Sequence, residues 1–404
     1  MAERGKQEHN RVWRPDMENV KKIFFPQTLS WAISRTKLGE KDLEKKIKVK
    51  EGTIGKWKSG EVAPSISQAK RLAERAFIAF PMLLLDTPPA DTIQIPDFRT
   101  VEGKRLVEAS PDLRDTIDYV TECQDWYRDY LKNGFSEPNG FVGSLLNYDD
   151  PEEAAKFISE TLSIADLRKE ANSRGAFISA LTRKIEALGI CVMRSGIVRV
   201  NTRRPLDPNE FRGFALSDDY APFIFINSKD ALAGQAFSLV HELVHIGKND
   251  SGVSGGDRFV TGKESFANHV AGAVLIPKSE LPDENEFKRI QEDDLIRKID
   301  QLSRKLKVSS WAVLTRARVL RRISEAQYRT ALSQIKEQGR MQPKASGSAD
   351  YYKSRGAALG RNFSRALISS VKSGAILYRD MWQLSGIKPK SIDKYAKEIA
   401  FTGA

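Results

Sequence analysis

The sequence predicts an α+β protein that is mostly helical, on three features of the chain. Apolar residues recur three and four apart over most of the 404 residues, the period of an amphipathic helix. Short runs between residues 189 and 227 alternate or stay continuously apolar instead, as strands do. Charge is also divided: the net +12 separates into +8 over residues 1–75, −11 over 76–300 and +15 over 301–404. A chain of this length can bury a sizeable core and is expected to form two or three domains. A basic head and tail around an acidic centre point to nucleic acid at the ends and different chemistry between them.

Composition narrows the classes further. Cys123 and Cys191 allow at most one bridge, which excludes a disulfide framework and favours a reducing cytoplasm. The first twenty residues are charged from the start and lack the apolar segment of a secretion signal. The run at 76–85 is too short, and too broken by Pro81, to cross a bilayer.

Residues 1–26 read as a loosely held arm. Four short helices follow, at 29–38, 40–49, 51–60 and 66–77. Leu43, Ile47, Ile54 and Trp57 fall at helical spacing and close a small core. Lys50, Thr53, Lys56 and Lys58 are left on the outer face. Two short helices joined by a tight turn, the second presenting Lys and Thr, have the form of a helix-turn-helix reader. Lysine supplies phosphate charge and threonine can meet a base edge. Gly52 and Gly55 lie inside the expected third helix, each costing up to about 1 kcal/mol relative to Ala, and Glu51 puts a negative charge at its start. A bundle serving protein contacts is the competing reading of this head.

With Trp57, Gly60 and Pro64 closing the third helix, the stretch resembles the XRE (repressor/Cro-like) DNA-binding family. The resemblance covers about fifty residues and implies DNA binding through Lys50, Thr53, Lys56 and Lys58.

A proline-punctuated stretch, with Pro81, Pro88, Pro89 and Pro96, leads to a long helix over 110–134 that is expected to pack across the two functional halves. Its Trp126, Tyr127 and Tyr130 read as core or interface. Residues 151–188 are helical, after which 189–196, 211–218 and 223–227 read as strands.

A helix is expected to start after a turn at Gly234 and to carry FSLVHELVH (237–245). On a helix, His241 and His245 lie on one face, a turn apart, and two neutral imidazoles so placed can share one Zn²⁺. Glu242 sits beside the metal and can take a proton from its bound water. Mn²⁺ or Fe²⁺ also suits such ligands. Two histidines leave the site a ligand short. Glu264, His269, Asp250 and Asp257 are candidates, and spacing alone does not choose among them. The glycine-rich 247–263 reads as a flexible loop at the mouth of the site. Strands followed by this helix give the layout of a zincin-type peptidase, with a sheet edge that can hold a peptide as an added strand.

FSLVHELVHI followed by ESFANHVAGAVLIP resembles the ImmA/IrrE family of metallopeptidases, closely over about residues 160–285. Carried over, the resemblance implies His241, His245 and Glu264 as metal ligands and Glu242 as general base. His269 falls on no ligand position and is expected to line the site or to serve structure. Asn268 is expected to bond backbone or a ligand carboxylate. The resemblance also implies cytoplasmic, narrow-specificity proteolysis of a partner repressor in a phage, stress or toxin–antitoxin-type switch.

The expected layout is therefore an arm (1–26), an XRE-like head (27–90), a connector and long helix (91–150), a zincin-like centre (151–290) and a basic helical region (291–404). Within the last, 302–320 could form a second helix-turn-helix or serve structure, 340–350 is a polar hinge, and 358–399 reads as a closing helical hairpin. Expected partners are a protein substrate, DNA through the head and a second copy of the chain, with no membrane. The rival class is a DNA-binding regulator or antitoxin whose metal centre is sensory or structural. A redox sensor is weaker, because both cysteines lie far from the histidines in sequence.

Overall fold

A computed structural model describes residues 23–89, 109–254, 262–290, 292–341 and 351–401. The chain divides into two compact units, Met1–Thr92 and Ile93–Ala404. Most of the expected arm, the connector at 93–100, Asp257 and nearly all of the hinge at 340–350 lie outside the described residues.

The first unit holds α1 (Pro26–Arg35), α2 (Glu40–Ile47), α3 (Thr53–Ser59), α4 (Ile66–Ala76) and a 3₁₀ turn at Phe80–Leu84. Leu43, Ile47, Ile54 and Trp57 are buried in one core, as helical spacing predicts, and Leu29 and Leu72 join them. This arrangement is compatible with a helix-turn-helix. Gly52 corrects the expectation: it precedes α3 rather than lying inside it. Its φ of 81° is a conformation that glycine alone adopts without strain. The buried Glu44 carboxylate accepts from the Ile54 backbone N–H at 2.9 Å, tying α2 to the first turn of α3. Lys50, Lys56 and Lys58 are exposed and Thr53 is half-buried. Lys56 pairs with Glu61 at 3.1 Å and Lys58 with Glu40 at 3.0 Å.

The second unit is built on a four-stranded sheet of β1 (Cys191–Ser195), β4 (Gly213–Leu216), β5 (Phe223–Asn227) and β6 (Gly252–Ser254), in the order β1-β5-β4-β6. β1 runs parallel to β5, while β4 is antiparallel to both β5 and β6. A small hairpin, β2 (Ile197–Val198) with β3 (Asn201–Pro205), stands apart. Helices cover both faces, so every residue of β5 is buried and FIFIN needs no polar alternate. Val192, Ala215, Ile224 and Ile226 face a core shared with α6 (Pro151–Leu162), α7 (Ile164–Glu170), α8 (Arg174–Ala187), α9 (Leu232–Gly247) and α10 (Gly262–Leu275). Met193, Phe214, Phe223 and Phe225 face the other way, against α5 (Pro111–Asn133) and the tail. At about 1.5–3 kcal/mol per fully buried large side chain, the two faces fix the register of the central strands. Among the described residues helix far outweighs strand, which makes the fold a mostly helical α+β one.

The long helix α5 is present, but its buried face lies within the second unit. Tyr119 Oη donates to the Leu384 carbonyl at 2.7 Å, and Gln124 Nε2 donates to the Leu216 and Ala221 carbonyls. Trp126 packs edge-on against Phe363.

Past α10 come α11 (Glu284–Arg289), α12 (Glu292–Leu306), α13 (Ser310–Val319) and α14 (Glu325–Met341). In the expected second helix-turn-helix, Leu302, Leu306, Val308, Val313 and Leu314 are all buried. Arg316, also buried, donates to the Ile276 carbonyl and pairs with Glu152, so part of the basic tail is answered by the acidic centre. Lys305 does the same with Glu280 at 2.6 Å. After α15 (Tyr351–Leu359), the stretch expected as a closing hairpin holds three helices instead, α16 (Arg361–Lys372), α17 (Tyr378–Ser385) and α18 (Ile392–Phe401). No described helix is long and apolar enough to cross a membrane.

Candidate metal centre

Helix α9 owes its position to what it buries. All but three of its sixteen residues are buried, among them Leu239, Val240, Leu243 and Val244. It starts two residues before Gly234, not after it, and Gly234 stands where a Cβ would lie 2.3 Å from Asp230 Oδ2. At the other end the backbone N–H groups of Gly143 and Leu145 donate to the Ile246 and Gly247 carbonyls, satisfying acceptors that the helix leaves over. A Cβ at Gly247 would meet Leu145 Cδ1 at 2.6 Å, so the close seat of this loop requires glycine there.

Helix α10 lies against α9 and carries Glu264 in its first turn, where a carboxylate is favoured by the helix dipole. Its small buried residues Ala267 and Ala271 let the two helices approach closely. The result is a triangle. His241 Nε2 is 3.1 Å from His245 Nε2 and 3.3 Å from Glu264 Oε2, and His245 Nε2 is 3.4 Å from Glu264 Oε1. Three ligands about 2.0–2.1 Å from a tetrahedral ion stand about 3.3 Å apart, so these residues fit one divalent transition metal. Among the described residues this is the one such cluster of His, Cys, Asp or Glu.

Electrostatics agree with that fit. Burial opposes a charge on His245, but Asp250, Glu264 and Glu242 around the ring outweigh it and raise its pKa to about 10. Burial would raise Glu264, yet the two histidines hold it well below the usual carboxylate range. The carboxylates around the two rings therefore favour positive charge in the site. Asp250 Oδ2 lies 3.6 Å from His245 Nδ1, the ring nitrogen turned away from the triangle, and its backbone N–H donates to the His245 carbonyl. Of the four candidates for the third ligand, Glu264 closes the triangle and Asp250 stands behind a ligand. His269 has its Nδ1 on the Ser265 carbonyl at 2.8 Å, outside the cluster, and Asn268 is exposed.

Glu242 is fully buried beside strand β4. A Cβ at Gly213 would lie 3.0 Å from Glu242 Oε1. Nothing in the sequence marks Gly213, because its role depends on which residue of β4 passes the helix. The sheet edge expected beside the centre is there, but β6 lies along it. Residues 252–254, expected as flexible loop, pair with Gly213–Ala215 instead. The cysteines are buried and unbridged.

No curated protein and no solved structure matches the chain. Residues 359–398, spanning α16 and α17, match a domain of unknown function. Residues 185–318, a third of the chain, contain the three cluster residues and Glu242 and are similar to a peptidase family described as the IrrE N-terminal-like domain.

Proposed function

We propose that the second unit is a zinc-dependent endopeptidase and that its substrate is a partner transcriptional regulator in the reducing cytoplasm. The observation that carries the reading is the closed triangle of His241, His245 and Glu264 with the Glu242 carboxyl buried next to it. His241, His245 and Glu264 would hold the ion, and Mn²⁺ or Fe²⁺ suits the same donors. A Zn²⁺ held there would supply Lewis acidity toward a scissile carbonyl and a lowered pKa for water. Glu242 accepts the proton of the attacking water on a carboxylate oxygen and passes it to the leaving amine. Asp250 orients the His245 ring so that Nε2 points into the triangle. With β6 seated on β4, the outer edge of β6 is where an extended peptide would find main-chain partners.

Digestion of a proteome-derived peptide library by wild type and Glu242→Gln tests the reading. Cleavage at defined sites by wild type, abolished in the variant with its metal retained, supports it. Equal digestion by the two, or none by metal-loaded wild type, leaves a sensory or structural metal site in a regulator.

We further propose that the first unit contacts DNA through Lys50, Thr53, Lys56 and Lys58. Exposed ion pairs such as Lys56–Glu61 and Lys58–Glu40 contribute at most about 1 kcal/mol each and can be exchanged for phosphate. Fluorescence anisotropy on duplex DNA at several salt concentrations tests this. Lys58→Ala should weaken binding across sequences and reduce the salt slope by about 1. An unchanged slope argues for protein contacts at this face.

A further inference from the structure

The last two helices, α17 and α18, lie largely within the stretch matched by the domain of unknown function, and a tight turn joins them. Gly386 follows α17 with φ of 67°, and its N–H donates to the Trp382 carbonyl at 2.7 Å, so the chain leaves the helix through a left-handed residue. A Cβ there would lie 2.4 Å from Val200 Cγ1, which restricts the position to glycine. Ile387 is buried in the turn, and its N–H donates to Ser385 Oγ at 3.1 Å. Lys388 is extended, and Pro389 opens a 3₁₀ turn that runs directly into α18. Gly386, Ile387 and Lys388 are thus the whole of the connection.

The inner face of this pair is taken up by the fold. Met381, Leu384, Ile392, Tyr395 and Ile399 are buried in the same core as Phe363 and Leu367 of α16. Tyr395 Oη is hydrogen-bonded to Ser364 Oγ at 2.7 Å, which ties α18 to α16. A short helix, a three-residue turn containing glycine and a second helix, braced by a third, have the form of a helix-turn-helix. The outer face is basic. Lys390, Lys394 and Lys397 fall four and three apart, opposite the buried Ile392, Tyr395 and Ile399, and all three are exposed. Residues 361–401 carry eight Lys and Arg against three Asp and Glu. The most exposed of those acids, Asp393, stands 4.0 Å from Lys372. On α17, Tyr378 and Trp382 lie one turn apart and are 57% and 53% exposed, with Leu377 beside them. Large aromatic side chains left in water on the same helix pair as a basic stripe mark a contact surface.

We propose that α17 and α18 form a helix-turn-helix that binds duplex DNA, a contact separate from the one proposed for the first unit. The helix led by Pro389 enters the major groove, which at about 12 Å wide admits an α-helix. Lys390 and Lys394, on its first two turns, sit where such a helix meets base edges, and Ser391 between them can donate or accept there. Lys388 and Lys397 meet phosphates to either side. Helix α17 crosses the backbone, where Tyr378 Oη can donate to a phosphate and Trp382 packs against sugar. Charge decides between the occupants of this face. A second copy of the chain would bring lysines up against lysines, whereas DNA answers the basic stripe and the aromatic face together. The major groove of duplex RNA is too deep and narrow for side chains to read, so the partner is DNA. The contact stands independently of the metal centre and assigns a role to the matched stretch.

Fluorescence anisotropy on a labelled duplex DNA of mixed sequence tests the proposal. The protein is the full chain carrying Lys50→Ala, Lys56→Ala and Lys58→Ala, which removes the cations of the first unit and makes the result independent of that reading. Salt-dependent binding is expected to persist in this background. Adding Lys390→Ala and Lys394→Ala should reduce the salt slope by about 2 and weaken binding about tenfold or more at about 0.1 M salt. Adding Lys156→Ala and Lys169→Ala instead, at exposed lysines of α6 and α7, should change neither. All these side chains but the half-buried Thr-flanked turn are left untouched in the core, so the fold is expected to be retained in each variant. Absence of salt-dependent binding in the background, an equal loss from the two lysine pairs, or equal affinity for a duplex RNA of the same sequence overturns the proposal. So does sedimentation in which Trp382→Ala turns a dimer into a monomer with DNA affinity unchanged, which assigns the face to a second copy of the chain.

Discussion

Gly213 on β4 stands against Glu242 on α9: a Cβ at residue 213 would be 3.0 Å from Glu242 Oε1 and 2.9 Å from the Phe225 carbonyl oxygen. The Phe225 carbonyl belongs to the neighbouring strand and cannot swing aside as a side chain can. Strand β4 thus helps fix where the Glu242 carboxyl sits.

Gly213→Ala is therefore expected to displace Glu242 while leaving the triangle of His241, His245 and Glu264 intact. A shift of about 1 Å in a reacting group can cost about 100-fold in rate. Peptidase activity should fall by about that factor with metal content near wild type. Wild-type activity in this variant would contradict the placement of Glu242.

Metal uptake should be linked to protons. Against the opposition of burial, Asp250, Glu264 and Glu242 raise the pKa of His245 to about 10, so without metal the ring is protonated at neutral pH. A ligating imidazole must be neutral, so binding releases that proton and becomes easier as pH rises. Apparent affinity should grow about tenfold per pH unit over about pH 6 to 8. Competition against a chelator of known affinity measures it, and a flat profile would contradict the proton on His245.

In the first unit, Glu44 is the only buried acid of α2, and its carboxylate serves the N–H of Ile54. Glu44→Ala leaves that buried donor without its acceptor and is expected to cost about 1–3 kcal/mol. Glu44→Gln keeps an acceptor oxygen and should lose less. Native-state hydrogen exchange at the Ile54 amide and its neighbours in α3 reads both, and equal protection in wild type and Glu44→Ala would contradict the tie.

The sequence made legible what local geometry dictates. Helical spacing alone brings His241 and His245 together, and alternation against continuous apolarity located β1, β4 and β5. Glu264 needed a family resemblance, because its approach depends on how α10 packs on α9. Strand β6 was missed since Gly252–Ser254 has no apolar alternation, and only pairing with β4 makes it a strand. The burial of Arg316 was not legible within the basic tail, because its partner Glu152 lies 164 residues away and is found only by folding. Gly213 carries no signal of its own: its importance is a matter of register.

The central claim is that His241, His245 and Glu264 hold a metal ion beside Glu242. Elemental analysis of the purified chain tests it most directly, with Glu242→Gln and the His241→Ala/His245→Ala double variant alongside. About one equivalent of zinc, manganese or iron is expected in wild type and in Glu242→Gln, falling to background in the double variant. Wild-type protein that takes up no such metal, even when supplied with it, would contradict the account.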